Sequence, residues 1–168
     1  EYKPDIVGMT AFTPSFYDVL RAARLIKKNI PNCYVCVGGT QHIKMYLKET
    51  LHHPEIDFVV RGEGEFIFAN LLNALQKGTP LSDVEGISFK KDGSIVSVGP
   101  EGYIKNINEL PSPAFDLLPL DKYKSAISTG KTVGTIASSR GCPYACTYCD
   151  RPYRTYRSYS NEKILSEM

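Results

Sequence analysis

Three short apolar runs, each ending in small or polar residues and each followed by a stretch of helical period, constrain this chain most. They are Asp5-Ile6-Val7-Gly8-Met9-Thr10, Cys33-Tyr34-Val35-Cys36-Val37-Gly38-Gly39 and Asp57-Phe58-Val59-Val60. Strands that are apolar without alternation are covered on both faces, which is the signature of a parallel sheet with helices on either side. The intervening segments supply those helices. Phe16, Val19, Leu20, Ala23 and Ile26 keep one face apolar while Arg21, Arg24, Lys27 and Lys28 face water, and Ser15 with Asp18 reads as a capping box. Ile43, Tyr46, Leu47 and Leu51 mark a second helix. Ile67, Leu71, Leu72 and Leu75 mark a third, with Gly78 where a C-cap glycine belongs. The expected class is α/β, built on a Rossmann-like parallel sheet.

Ligands on such sheets bind beyond the carboxyl ends of the strands. Unusual residues concentrate there: Thr10 to Ser15, Gly38 to His42, and Gly62 to Glu65. Glycine at these places serves a positive φ or a close approach to the backbone, and a tight strand–helix turn uses it in the same way. No GxGxxG or Walker lysine is present. His42 reads as a polar loop residue ahead of a metal ligand, and His52-His53 as residues closing a helix. Cys33 and Cys36 lie an odd number of residues apart on a strand, hence on opposite faces, and read as core thiols.

The middle of the chain carries a β-hairpin signal, Val84–Phe89 and Ser94–Val98 around Asp92-Gly93. A proline-rich stretch follows, Leu110-Pro111-Ser112-Pro113 and Leu117-Leu118-Pro119-Leu120, whose apolar residues (Phe115 among them) call for burial.

Ser139-Arg140-Gly141-Cys142-Pro143-Tyr144-Ala145-Cys146-Thr147-Tyr148-Cys149 places three cysteines at C-x3-C-x2-C spacing. Thiolates are soft ligands for iron–sulfur clusters, zinc or copper(I). Three of them hold three corners of a cubane and leave one iron open, whereas a structural zinc site calls for a fourth ligand that this stretch does not offer. Val133–Ala137 reads as the strand that delivers the loop, and Ser160 as the N-cap of a helix begun at Glu162. Arg151, Arg154 and Arg157 interleave with Tyr153, Tyr156 and Tyr159, a pattern that also suits stacking on bases. Bulk charge argues against nucleic acid: 20 Lys and Arg against 18 Asp and Glu leave a net charge of +2.

No apolar run is long enough for a membrane span. Five cysteines in no secreted-scaffold pattern, and no signal peptide, point to a reducing cytoplasm. The expected divisions are 1–78 for the strand–helix unit, 79–131 for hairpin and linker, and 132–168 for the cysteine-bearing unit. Because the chain opens at Glu1 beside a strand and stops at Met168 within a helix, it is read as a piece of a longer protein.

The CxxxCxxC loop with an aromatic before its last cysteine resembles the cluster loop of radical S-adenosylmethionine (SAM) enzymes. "DIVGMTAFTPS", "VCVGGTQ" and "DFVVRGEGE", in this order and ahead of such a loop, resemble the cobalamin-binding domain of B12-dependent radical SAM proteins. The resemblance implies a [4Fe-4S] cluster on Cys142, Cys146 and Cys149, with Tyr148 beside the adenine of SAM. It also implies cobalamin along the strand-end loops: Thr10, Ala11, Phe12 and Thr13; Gly38, Gly39, Thr40 and Gln41; and Gly62, Glu63, Gly64 and Glu65. The linker would lead into the first strand, cluster loop and helix of a radical SAM (β/α) partial barrel. The D-x-H-x-x-G motif that donates a lower histidine ligand in some cobalamin domains is absent from this sequence.

The activity implied is cobalamin-dependent methylation or oxidative cyclisation of a small-molecule substrate, of the anaerobic Mg-protoporphyrin ester cyclase or class B methyltransferase type. Its electron donor would be a flavodoxin or ferredoxin. Competing readings are a methylthiotransferase-like enzyme on an empty B12-like scaffold, for whose second cluster Cys33 and Cys36 do not suffice, and a non-catalytic cobalamin- or zinc-binding module.

Overall fold

The three apolar runs become β1 (Ile6–Thr10), β2 (Tyr34–Gly38) and β3 (Phe58–Val60), side by side and parallel, with Met9 opposite Val37 and Val37 opposite Val59. In this computed structural model, residues 3–123, 135–149, 153 and 155–168 are described, apart from the side chains of Thr40, Gln41 and Asp121. The helices are α1 (Phe16–Asn29), α2 (Thr40–His52) and α3 (Glu65–Lys77). Strand alternation sorts them between the two faces. Val35, Val37 and Val59 pack with Val19, Leu20 and Ala23 of α1 and with Ile43 and Leu51 of α2. Cys36, Phe58 and Val60 point the other way, onto Ile67, Leu71 and Ala74 of α3. Burying a side chain such as Leu51 or Leu71 contributes about 1.5–3 kcal/mol, so each helix is held chiefly by its apolar stripe. Gly78 ends α3 with φ 67°, as the sequence predicts.

The hairpin finds its neighbour in β3. β4 (Ile87–Lys91) and β5 (Ser94–Ser97) turn through Asp92 (φ 51°) and Gly93 (φ 75°), the two positive values that a right-twisted two-residue hairpin needs. β4 runs antiparallel to β3, pairing Phe58 with Phe89 and Val60 with Ile87, so the five-stranded sheet is mixed, in the order β1-β2-β3-β4-β5. The α/β class holds, with an antiparallel edge added to its parallel centre.

One expectation at the start of α1 fails. Ser15 makes no side-chain cap; its hydroxyl donates to the Phe12 carbonyl at 3.3 Å. A single 3-10 turn, Thr13–Ser15, precedes the helix and sets Ser15 at φ −102°, ψ 7°, away from the extended conformation that aims a cap at its helix.

The chain divides into two compact units, Glu1–Ile104 and Lys105–Met168. In the second, the proline-rich stretch forms single 3-10 turns at Phe115–Leu117 and Leu120–Lys122. Contrary to the sequence reading, Phe115, Leu117, Leu118 and Leu120 are exposed. Proline removes the amides that would pair such a segment. The strand expected over Val133–Ala137 is likewise displaced: Val133 and Gly134 lie outside the described residues, and Thr135–Ser138 is irregular. Extended pairing begins at β6 (Ser139–Arg140), antiparallel to β7 (Arg157–Ser158). Then α4 (Asn161–Glu167) starts at Ser160, whose hydroxyl accepts from the Lys163 amide at 3.2 Å as its sequence position predicts.

Candidate functional site

Parallel topology brings the carboxyl ends of β1, β2 and β3 to one sheet edge, and two of the three loops there meet directly. The Ala11 amide donates to the Gly38 carbonyl at 2.7 Å. Gly39 stands at φ 125°, and a Cβ there would lie 2.1 Å from the Ala11 carbonyl oxygen. Only glycine allows this approach. A Cβ on Gly38, by contrast, would meet nothing within 4 Å. Around this contact Thr10, Phe12 and Thr13 are exposed and Ala11 is buried. The edge therefore offers two hydroxyls, an aromatic ring and an open glycine, a cradle suited to a polar chain of ligand passing close to backbone.

The third loop is engaged elsewhere. Gly62 (φ 80°) bridges to Gly102, the Glu63 amide donates to the Gly102 carbonyl at 3.0 Å, and the Ile104 amide donates to Glu63 Oε2 at 2.7 Å. Glu63 is buried, Gly64 half-buried and Glu65 exposed in the first turn of α3. Arg61 supports the same arrangement by donating to the Val98 and Gly99 carbonyls at 2.6 and 2.8 Å. Sequence reading did not foresee these contacts, because their partners lie tens of residues further along the chain. The backbone of Thr40 and Gln41 opens α2; their side chains lie outside the described residues.

His42 is buried beside this edge. Its ring centroid lies 4.2 Å from that of Phe16 and 5.3 Å from that of Tyr46, and its nitrogens lie 3.4 Å from Thr13 Oγ1 and 3.3 Å from Thr50 Oγ1. Burial lowers its pKa below the ordinary imidazole value, against an opposing effect of Glu49. Sequence reading made His42 a polar loop residue; it lies instead inside α2, buried, with protein hydroxyls as its hydrogen-bond partners. Thr50 was missed, although His42, Tyr46 and Thr50 recur every fourth residue and so share a helix face.

The cysteine loop springs from the β6–β7 ribbon. Gly141 has φ 81°, and a Cβ there would fall 2.1 Å from the Thr155 carbonyl oxygen, so glycine lets the returning chain pass against the loop's start. Cys142 is half-buried, Cys146 and Cys149 are exposed, and the Cys149 amide donates to the Cys146 carbonyl at 3.2 Å across a turn. Tyr148, at 91% exposure, stands in solvent. Arg157 is buried, with its guanidinium 5.4 Å from the Tyr153 ring centroid; Arg151 and Arg154 lie outside the described residues. Among the described residues no three His, Cys, Asp or Glu side chains converge in a metal-holding arrangement. The donor set nonetheless fits an iron–sulfur cluster in chemistry: three accessible soft thiols on one short loop. Cys33 and Cys36 are buried free thiols, as expected; burial pushes Cys36 up to about 12.

Comparison with known proteins extends over both units. Residues 1–72 match the family described as B12 binding domain. A protein of Pyrococcus horikoshii named as an uncharacterised methyltransferase is 38% identical over 172 residues, covering all of this chain and 37% of the relative. The anaerobic magnesium-protoporphyrin IX monomethyl ester cyclase of Rubrivivax gelatinosus is 34% identical over 172 residues, covering 99% of this chain and 31% of that protein. The solved structure of the cobalamin-dependent S-adenosylmethionine radical enzyme OxsB, with aqua-cobalamin and S-adenosylmethionine bound, superposes with a TM-score of 0.76 at 27% identity, over 98% of this chain and 23% of that one. Residues 1–72 thus carry a B12-binding domain, and the chain as a whole is similar to cobalamin-dependent radical SAM enzymes. It spans about a third of the length of the curated relatives it matches. Cys33 and Cys36 are both buried and are the only cysteines of the sequence ahead of Cys142, so they lend no support to the methylthiotransferase-like reading. No helix among the described residues is long and apolar enough to cross a membrane.

Proposed function

We propose that the protein containing this chain is a radical SAM enzyme that uses cobalamin to methylate or oxidatively cyclise a small-molecule substrate. What carries the reading is one observation: likeness to a radical enzyme holding both cobalamin and SAM runs through the strand-edge loops and the cysteine loop together. When bound, the cluster supplies the electron that cleaves SAM reductively, and cobalamin supplies a transferable methyl group or a partner in ring closure.

The chain's own residues then have separable tasks. Cys142, Cys146 and Cys149 hold three irons as thiolates, and Tyr148 lies along the adenine of SAM. Thr10, Phe12 and Thr13 line the cobalamin tail, with Ala11 fixing the loop. Gly38 leaves it room, and Gly39 sets the wall. Thr40 and Gln41 follow the tail into α2. Gly62, Glu63, Gly64 and Glu65 close the same edge, the first two through the strap at Gly102–Ile104. We assign turnover to a chain of the relatives' length, in the cytoplasm and served by flavodoxin or ferredoxin, and expect none from these 168 residues alone.

The deciding experiment is anaerobic preparation of the full-length protein with hydroxocobalamin, reading iron and cobalamin per chain together. About four irons and one cobalamin are expected, with iron lost in C142A, C146A and C149A alike. An intact cluster in C146A overturns the cluster assignment. Iron without retained cobalamin demotes the first unit to a scaffold, and stoichiometric zinc in place of iron favours the binding-module reading.

A further inference from the structure

Thr13, His42 and Thr50 form a chain of hydrogen bonds whose direction the geometry settles. The Thr50 hydroxyl donates to the Tyr46 carbonyl at 2.7 Å, which commits its only proton. Toward His42 it therefore accepts, so Nε2 carries the imidazole proton and Nδ1 is left to accept from the Thr13 hydroxyl. All three side chains are satisfied in the neutral Nε2–H form. The relay ends where α2 breaks its regularity, at Tyr46 with φ −129° and ψ 33°. It begins on the turn after β1, and it runs beside the Ala11–Gly39 backbone contact. The aromatic rings of Phe16 and Tyr46 flank the imidazole.

We propose that this relay is a positioning device: it ties the β1–α1 turn to the kinked α2 and so sets the gap between Thr10–Thr13 and Gly38–Gln41. The proposal deepens the cobalamin reading and rests on it for the identity of what passes through that gap. Thr50 is fully buried in the last turns of α2 and belongs to neither loop, so it touches no ligand there. Its effect on binding must travel through His42. Protonating Nδ1 reverses the Thr13 contact, turning that hydroxyl from donor to acceptor. The groups around the imidazole are few. On α2 they are Glu49, which favours the cation, and Tyr46; from α1 and the Thr13 turn it meets uncharged Phe16 and Thr13; and His53 packs on the same Phe16 ring with centroids 5.8 Å apart. Burial, the larger influence, keeps the neutral form.

The test compares wild type, T50V and T50S in the full-length protein, by hydroxocobalamin titration, thermal unfolding and 15N NMR of the His42 ring and the loop amides. Valine keeps the shape of Thr50 and removes the hydroxyl; serine keeps the hydroxyl. Losing one buried hydrogen-bond partner is worth roughly a tenfold change, so T50V should bind hydroxocobalamin about tenfold more weakly and T50S nearly as wild type. His42 should show the Nε2–H form in wild type and lose it in T50V, and the amides of Ala11–Thr13 and Gly38–Gly39 should shift. A lower melting temperature in T50V with unchanged affinity and unmoved loop amides is the mark of a merely structural hydroxyl and overturns the proposal. If wild type fails to bind hydroxocobalamin, the cobalamin reading falls. The relay then stands or falls on whether the loop amides move in T50V. Should T50V not fold, the wild-type ring decides, and an Nδ1–H tautomer overturns the relay.

Discussion

Gly38 and Gly39 are adjacent in the chain and opposite in tolerance. At Gly39 a side chain would meet both a positive φ and the Ala11 carbonyl, so G39A should cost roughly 2–4 kcal/mol in urea denaturation. At Gly38 there is room, so G38A should change stability by no more than about 0.5 kcal/mol. If Gly38 serves the cofactor tail, G38A nonetheless weakens hydroxocobalamin binding, and unchanged binding removes it from the site. His42 adds a pH dependence whose sign follows from its lowered pKa. The unfolded chain binds its proton near the ordinary value of 6.5 and the folded chain binds it less readily, so this contribution is complete above about pH 6.5 and declines as pH falls below it. H42F should flatten the acid limb of stability against pH. Cys36 acts at the other end. Its thiol, raised by burial from 9.0 to about 12, contributes stability below pH 9 that is lost as pH rises between those values.

At the scale of elements, the sheet is anchored on the side opposite the candidate site. Asp57 Oδ2, just before β3, accepts from Lys27 Nζ at 2.6 Å and from the Val35 amide at 2.7 Å, while Lys27 also donates to the Cys33 carbonyl at 2.9 Å. One carboxylate thus joins the end of α1 to β2 and β3. D57A leaves a strand amide and an ammonium without that partner and should cost about 1–3 kcal/mol in chemical denaturation; a loss within error means water takes over both. The hairpin was readable as a unit from Asp92-Gly93, because its turn needs only local dihedral angles. Its attachment to β3 was not readable, since any strand with an unpaired edge would serve. The Ser15 capping box failed for a related reason. A 3-10 turn competes for the same residues at little local cost, and here the Ser15 amide and hydroxyl go to the Phe12 carbonyl and the Phe16 amide to the Thr13 carbonyl.

For the whole molecule, the five thiols divide by unit. Native chain should expose Cys142, Cys146 and Cys149 to a small thiol reagent, with Cys33 and Cys36 reacting only on unfolding; fast labelling of all five would contradict the buried core. The amino-acid sequence by itself determined the strands β1 to β3, their helices, the hairpin, the α4 cap and the cysteine loop. All of these rest on periodicity or on spacing within a few residues. It also marked the strand-end loops, because glycines and hydroxyl residues gather there. Tertiary structure alone decided which of those loops meet. Ala11 touches Gly39, His42 joins Thr13 to Thr50, and Glu63 turns away to Ile104. Such contacts depend on the packing of whole helices against a twisted sheet, and a buried polar group takes whichever partner that packing brings within about 3 Å.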